Sequence, residues 1–330
     1  MKEQFVRDLR PGDRVLSFFL VRHKRLEPFR DRTRGEFLTL ILADRTGEVL
    51  ARVWEDAPAV AETFREGQVV KVLGRMEEYL DRWQVIVEKI RPAEEEEYDL
   101  ADFVPATERD VDEMLAEIRR TIEEVENPHL RALLLHFFDD PDFVARFSRA
   151  PAARRVHHAY LGGLLEHTVE MIHLCRSLLE LYPEIHRDLL LTGAILHDVG
   201  KTREFHYETD IAYSDEGRLL GHVVLSLEMV DAALAEMEGF PEELALRLRH
   251  MIVSHHGRYE WGSPRRPKTL EAAALHHVEN LSAQVNRFHR IIAARRDPTR
   301  PWTEYDTLLR RSLYAGREGD LSIEEEGQLA

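Results

Sequence analysis

The first ninety residues alternate between short apolar runs and turn-forming stretches, with the two-residue period that is typical of β-strands. Turn sequences such as Asp44-Arg45-Thr46-Gly47 separate the runs, and one helical stretch, Ala57–Phe64, falls between the third and the fourth. This pattern predicts a small closed barrel of five strands. The runs are rich in Val, Ile, Phe and Leu and comprise Val15–Val21, Phe37–Leu42, Val49–Trp54, Val69–Leu73 and Trp83–Ile90.

The OB-fold, a five-stranded Greek-key barrel that commonly binds oligonucleotides, has this arrangement. SH3-like barrels give a similar pattern, so the pattern alone leaves both open. After Pro92 the acidic run Glu94–Glu97 predicts a linker, and beyond it the apolar positions take a helical period, almost to residue 315.

We therefore expect a multidomain protein with both α and β structure, in which an N-terminal five-stranded OB-fold β-barrel precedes an all-α domain. We expect disorder in the acidic C-terminal tail. The expected boundaries are 1–92 for the barrel, 93–150 for an acidic linker and helical connector, 151–315 for the helical domain and 316–330 for the tail.

Composition places the chain among globular proteins of a reducing compartment. No apolar run approaches the roughly 20 residues that span a bilayer, so we expect no membrane partner. The N-terminus lacks the apolar stretch of a signal peptide. The single cysteine, Cys175, excludes an internal disulfide framework. These features predict a cytoplasmic protein, and they leave a homo-oligomer open.

The net charge of -16 argues at first against a nucleic-acid partner, but the charge is unevenly distributed. Residues 1–92 are mildly basic, whereas the rest of the chain is strongly acidic. The loop predicted after the first strand is the most basic stretch of the chain, and it includes an aromatic ring that could stack on a base. A solvated loop balanced by Glu27 and Asp31 is the alternative. The candidate nucleic-acid-binding residues of this stretch are Arg22, Lys24, Arg25, Phe29, Arg30 and Arg32.

Histidines are concentrated in the back of the chain, where 14 of the 17 lie between residues 157 and 289. A single histidine on an apolar helix is more often structural than a ligand. Several histidines in apolar helical surroundings would be costly to bury unless a bound metal provides a partner for their ring nitrogens. Imidazole and carboxylate donors, without thiolate, suit Mn, Fe, Co, Ni or Zn better than Ca.

The order His167, then His197-Asp198, then a late carboxylate resembles the HD phosphohydrolase superfamily, which has an all-helical core. The central motif of that superfamily is similar to the segment Ala194–Lys201. The resemblance implies that His167, His197, Asp198 and Glu279 bind a first divalent metal. The resemblance also implies that His222, together with His255 or His256, binds a second metal ion.

A narrower resemblance covers nearly the whole chain. The segments Tyr160–Thr168, Gly221-His222 and Ser254–Gly257, together with the barrel segment from Phe37 to Trp54, are similar to YhaM-type 3′-to-5′ exoribonucleases. Members of that family carry an OB-fold before the HD domain. The resemblance implies metal-dependent removal of nucleotides from the 3′ end of single-stranded RNA, with single-stranded DNA as a further substrate. Manganese is the favoured metal, as one or two ions, with iron, cobalt, nickel, zinc and magnesium left open.

One stretch departs from the family pattern H-x-x-D-N-x-D-A. In His276–Ala283, Glu279 stands at the first acidic position and Ser282 at the second. Glu279 has a longer arm by one methylene, so it reaches the metal if its helix lies slightly farther back. Weaker metal binding or a changed metal preference is the alternative.

Candidate catalytic residues are Asp198, whose two oxygens suit it to bridge two metals, and Lys201, which could offset phosphate charge. Three residues that follow a predicted ligand pair are candidates for holding a terminal nucleotide: Arg258, Trp261 and Arg265. A packing role is the alternative for Trp261. Two other functions stay open: an HD phosphodiesterase acting on cyclic or small nucleotides, and a non-catalytic single-strand-binding protein.

Overall fold

The N-terminal part of the computed structural model is a closed barrel with strand order β1-β2-β3-β5-β4. Its strands are β1 (Arg14–Pro28), β2 (Glu36–Asp44), β3 (Gly47–Val53), β4 (Val69–Tyr79) and β5 (Arg82–Pro92). The short helix α1 (Ala57–Glu62) lies between β3 and β4. The structure describes residues 2–29, 31–79, 82–99, 102–154, 158–207, 211–293, 300–307 and 309–317, with only the backbone of Arg32 and Arg82.

The barrel closes because alternate residues of each strand point into one apolar core. On β2, for example, Leu38, Leu40 and Leu42 are fully buried, whereas the residues between them face outward. Neighbouring strands pair antiparallel except β3 and β5, which pair in parallel. The predicted five-stranded OB-fold with a helix after the third strand is confirmed.

The first strand is longer than the sequence pattern indicates. It continues to Pro28, and its register against β2 shifts between Val21 and His23, which is typical of a β-bulge. The basic stretch expected in a loop is therefore partly strand, and that expectation was wrong. Pairing with β2 satisfies the backbone of this polar segment, and tertiary pairing of this kind overrides the local signal.

Helices make up most of the rest of the chain. Asp110, Asn127 and Asp140 begin three of them by accepting hydrogen bonds from backbone N–H groups of the first turn. The helices are α2 (Val111–Glu124), α3 (Pro128–Phe138), α4 (Pro141–Arg149), α5 (Gly163–Leu181), α6 (Arg187–Leu196), α7 (Lys201–Glu204), α8 (Asp215–Leu219), α9 (Gly221–Ala235), α10 (Glu242–Ser254) and α11 (Leu270–Ala293).

One apolar core joins α2 through α6 with α9, α10 and α11. Helices from the expected connector region thus pack together with those that carry the histidines. Between barrel and helices, adjacent residues face different clusters: Phe103 packs with Phe18 and Leu20 of the barrel, and Val104 packs with Phe205. The two parts are therefore in contact through this short segment.

Within the residues that the structure describes, the helical part departs from an all-α fold in a small sheet and in isolated bridges such as that between Trp302 and Tyr314. Phe205–His206 (β6) and Ala212–Tyr213 (β7) pair antiparallel as a small two-stranded sheet. Its strands are two residues long, which is too short for a periodic pattern to predict. Within the described ranges, none of the helices is long and apolar enough to cross a membrane. Of the expected acidic tail, residues 318–330 lie outside the described residues.

Candidate metal centre

Two of the histidine pairs lie directly after the C-terminal ends of helices. His197-Asp198 follows α6, and His255-His256 follows α10. The C-terminal end of a helix carries partial negative charge and favours a cation. His222 lies in the first turn of α9. Elements far apart in the chain therefore bring these ligands together.

The first group of candidate ligands comprises His167, His197, Asp198 and Glu279, all of them buried. One ligand atom from each lies within 4.8 Å of the others. Oε2 of Glu279 is 2.7 Å from Nε2 of His167 and 3.5 Å from Nε2 of His197. The longer side chain at position 279 therefore does extend into the group.

Asp198 lies between this group and a second one. Its Oδ2 is 3.3 Å from Nε2 of His197, whereas its Oδ1 is 3.5 Å from Nε2 of His222 and 3.6 Å from Nε2 of His255. His222, His255 and His256 form the second group. Nε2 of His222 and Nε2 of His256 are 2.9 Å apart. The two carboxylate oxygens of Asp198 thus face one group each.

Hydrogen bonds orient the imidazoles so that Nε2 points into the centre. Nδ1 of His197 lies 2.9 Å from the Ala194 carbonyl, and Nδ1 of His255 lies 2.7 Å from the Ile252 carbonyl. Both carbonyls belong to the last turn of the histidine's own helix, where backbone oxygens lack helical partners. A proton on Nδ1 leaves the lone pair on Nε2, which is the form that binds metal.

His222 is oriented in the same way by a carboxylate, because its Nδ1 lies 3.0 Å from Oε1 of Glu204. Nothing in the sequence singles out Glu204 beyond its position shortly after the HD motif. Carboxylate partners of this kind commonly fix ligand histidines. Glu204 is therefore a supporting residue that sequence reasoning missed.

Buried polar atoms at the centre test whether a metal fits. Oδ1 of Asp198 and Nε2 of His255 are buried and make no hydrogen bond to any atom of the described residues. Such atoms are costly to bury without a partner. Nitrogen and carboxylate oxygen donors at these spacings suit a divalent transition metal. The residues present therefore fit a metal.

Burial and neighbouring charged groups shift the pKa values of the histidines in the cluster. Burial opposes protonation of His197, but Asp198 and Glu279 beside it raise its pKa to about 10. Burial, and then the nearby His222, lowers the pKa of His256 to about 4. His256 is consequently neutral at pH 7 and able to offer a lone pair.

Lys201 is buried in the centre and does not face solvent. Its Nζ lies 2.5 Å from Oδ2 of Asp198. Although burial opposes its charge, Asp198 and Glu279 keep the pKa of Lys201 above the usual value. The ammonium is therefore held charged beside the carboxylate.

Close packing around Gly200 places His222 near the carboxylate of Asp198. A Cβ added to Gly200 would lie 2.4 Å from the backbone oxygen of His222 and from the backbone nitrogen of Ser226. The Gly200 N–H also donates to Oγ of Ser226, at 2.8 Å. The glycine lets α9 approach the chain directly after His197-Asp198.

His158 does not lie on the helix that carries His167. That helix, α5, begins at Gly163, and His158 has a positive φ of 44°. His158 is nevertheless fully buried, with its ring centroid 5.3 Å from that of His167. His157 lies outside the described residues.

The loop after His256 presents aromatic and basic side chains close to the second group. Trp261 is 44% exposed, so it is not a buried packing residue, and its ring centroid is 6.2 Å from that of His276. The guanidinium of Arg258 lies 4.7 Å from the Trp261 ring centre. Arg265 is exposed, and its backbone N–H donates to the Val253 carbonyl. The loop thus offers an exposed aromatic ring next to His276, whose Nδ1 lies 2.8 Å from the backbone oxygen of His255.

On the barrel, the candidate binding residues lie in different environments. Lys24 donates to the carbonyls of Ala61 and Phe64 near the end of α1, so its ammonium is occupied there. The Arg22 side chain is only 20% exposed, whereas that of Arg25 is 80% exposed. Of these three cations, Arg25 is the one most open to a ligand.

Phe29, a predicted binding residue, lies in an aromatic cluster with Phe37 and Trp54, which the sequence did not single out for binding. Its ring centroid is 5.1 Å from that of Phe37 and 5.7 Å from that of Trp54. Arg34 and Arg52 lie over the rings of Phe29 and Phe37. The signal was present, because Phe37 occupies an outward position on a strand whose alternate residues are buried leucines. Arg30 lies outside the described residues, as does the side chain of Arg32.

A groove of about 820 Å³ continues from Trp54 across the outer face of β3, β5 and β4. Apolar and basic side chains line it together with the acidic residues Glu55, Asp56 and Glu88. Its lining includes Trp54, Leu73, Ile86, Lys71, Arg75, Lys89 and Arg91.

Family models match both parts of the chain. The HD domain model matches residues 164–284, and the model for an OB-fold nucleic acid binding domain matches residues 20–93. The chain is 35% identical over 281 residues to the 3′-5′ exoribonuclease YhaM of Bacillus velezensis, covering 83% of this chain and 86% of that protein. It is 38% identical to YhaM of Shouchella clausii, covering 78% and 80% of the two chains. For YhaM of Bacillus subtilis the identity is 36%, covering 78% and 81%.

Proposed function

The chain belongs to the YhaM family of 3′-5′ exoribonucleases, and on that premise we propose that it removes nucleotides from the 3′ end of single-stranded RNA by metal-dependent hydrolysis of phosphodiester bonds. The observation that carries this proposal is the pair of ligand groups on either side of Asp198. Such a pair suits phosphodiester hydrolysis, in which both the attacking and the leaving oxygen need stabilisation.

In the proposed centre, His167, His197, Asp198 and Glu279 hold one ion, and His222, His255 and His256 hold a second with Asp198 between them. A bound divalent ion would lower the pKa of a water molecule towards about 7 and so supply hydroxide at neutral pH. The donors combine imidazole nitrogen with carboxylate oxygen, and Cys175 is buried in the apolar core, so we propose a divalent metal, with Mn²⁺ favoured and Fe, Co, Ni, Zn or Mg as the alternatives.

The residues around the centre divide the remaining work. Lys201, held charged beside Asp198, offsets negative charge on the phosphate that is being cleaved. The exposed face of Trp261 stacks the terminal base, and Arg258 and Arg265 stabilise its phosphate. The stacking of Arg258 on Trp261 supports this role, since it holds a cation beside the ring.

The barrel holds the RNA upstream of the cleaved end. Aromatic rings with arginines across them suit bases and phosphates of a single strand without reading its sequence. We therefore assign this role to Phe29, Phe37 and Trp54, with Arg25 and the groove beyond Trp54. The single, buried cysteine is consistent with the reducing cytoplasm as the compartment.

A 3′-labelled single-stranded RNA incubated with Mn²⁺ tests the proposal. The expected first labelled product is a mononucleotide, and a circular RNA of the same sequence should stay intact because it has no end. Asp198→Ala is the control for contamination by another nuclease. Binding without shortening would instead favour a single-strand-binding protein, and cleavage of cyclic nucleotides alone would favour a small-nucleotide phosphodiesterase.

A further inference from the structure

A hydrogen-bonded chain of polar side chains lies behind His167, on the side away from the candidate metals. Nδ1 of His167 is 3.2 Å from Oγ of Ser282 on α11. The Ser282 hydroxyl in turn donates to Oε2 of Glu170, at 2.9 Å. Glu170 lies on α5, one turn after His167, so the chain links the two helices that carry His167 and Glu279.

The direction of these hydrogen bonds determines which nitrogen of His167 carries a proton. A serine hydroxyl has one hydrogen, and here it points to the Glu170 carboxylate. The oxygen of Ser282 therefore faces His167 as an acceptor, and Nδ1 must be the donor. With Nδ1 protonated, Nε2 is the atom left to bind a metal; without a metal, Nε2 would carry a second proton and donate to Oε2 of Glu279, 2.7 Å away.

Glu170 is itself held in place. Nε2 of His158 lies 3.2 Å from Oε2 of Glu170, the same oxygen that accepts from Ser282. His158 is fully buried, and its backbone N–H donates to Oδ1 of Asn286 on α11. The carboxylate therefore has a defined position although its side chain is 34% exposed.

We infer that Ser282 and Glu170 are positioning residues that act in series: the carboxylate orients the hydroxyl, and the hydroxyl holds His167 with Nε2 directed at the metal. This inference rests on the proposed metal centre. Neither residue belongs to the two ligand groups around Asp198, although the ligand atoms of Glu170, His158 and His167 also lie within 4.8 Å of one another. Loss of such a supporting hydrogen bond typically weakens metal binding about 10- to 100-fold.

The test is a double-mutant cycle on the full chain, with the Mn²⁺ dissociation constant measured by competition with a chelator. Glu170→Ala and Ser282→Ala should each weaken Mn²⁺ binding about tenfold, because alanine removes the acceptor or the hydroxyl from the chain. Because the two residues act through one hydroxyl, the double variant should bind no more weakly than the weaker single variant. Saturating Mn²⁺ should restore kcat in all three, since the reacting groups are unchanged.

Glu166→Ala is the matched control. Glu166 lies on the same helix one turn earlier, but it accepts from Thr107 rather than from Ser282, and its substitution should leave Mn²⁺ affinity unchanged. Independent tenfold losses that multiply in the double variant would overturn the inference, as would wild-type affinity in Glu170→Ala. If the wild-type chain takes up no Mn²⁺ at all, the proposed metal centre itself is wrong.

Discussion

Replacing Asp198 with alanine should have two separable consequences, one for metal binding and one for stability. The two oxygens of Asp198 face the two ligand groups, so the substitution should remove both ions rather than one. It also removes the carboxylate that lies 2.5 Å from Nζ of Lys201. The ammonium would then be left buried with the rest of the cluster but without its nearest anion.

The size of the stability effect follows from the burial of this pair. The side chains of Lys201 and Asp198 are 4% and 2% exposed. Removing one partner of a buried ion pair typically costs about 3–5 kcal/mol, because the other charge stays buried without compensation. A second substitution, Lys201→Met, removes that charge and keeps an apolar side chain of similar length. The double variant should therefore recover most of the lost free energy of unfolding.

Urea unfolding in EDTA isolates this effect, because no metal then contributes to stability. Adding Mn²⁺ to about 100 times its dissociation constant should raise the free energy of unfolding of the wild-type chain by about 2.7 kcal/mol for each bound ion and leave both variants unchanged. Metal content by mass spectrometry should fall to zero in both. His255→Ala, which touches one group only, should retain one ion.

Two results would refute this reasoning. If Asp198→Ala in EDTA were as stable as the double variant, the buried Lys201 ammonium would not depend on Asp198. If Asp198→Ala kept one tightly bound ion, then Asp198 would not be shared by the two groups.

Three further predictions concern other parts of the molecule. Gly200→Ala should push α9 away and reduce occupancy of the ion held by His222 first, as measured by metal content, because an added Cβ would lie 2.4 Å from the His222 backbone oxygen. Burial opposes protonation of His197, but the neighbouring carboxylates raise its pKa to about 10, so its proton competes with the metal. Mn²⁺ affinity should therefore rise between pH 6 and pH 9, and calorimetry at pH 7.5 should detect the release of about one proton. A binding enthalpy that does not depend on the buffer would contradict this prediction. Trp54→Ala should weaken binding of a long RNA by about 1–3 kcal/mol in fluorescence anisotropy and leave cleavage of a dinucleotide unchanged; an equal loss on both substrates would show that the barrel does not act as a separate binding surface.

Much of the fold could be predicted from the sequence, because burial leaves a local periodic signal. The leucines of β2 alternate with outward residues, and that alternation predicts a half-buried strand without any knowledge of its partners. The segment around His197-Asp198 was informative for a different reason. A histidine next to a carboxylate at a helix end brings two metal ligands together whatever the rest of the chain does.

The contacts across the chain depended on the tertiary structure. Whether Glu279 reaches the centre is decided by how far α11 lies from α5, and its 2.7 Å contact with His167 could not be read from a longer side chain alone. The same packing brings Ser282 and Glu170, far apart in sequence, to one hydrogen bond. Lys24 shows the limit most clearly, because a lysine in a basic stretch predicts a free cation, yet its ammonium donates to carbonyls near the end of α1. Periodicity records which face of an element is buried, but the partner of a side chain is set by helices and strands that pack from distant parts of the sequence.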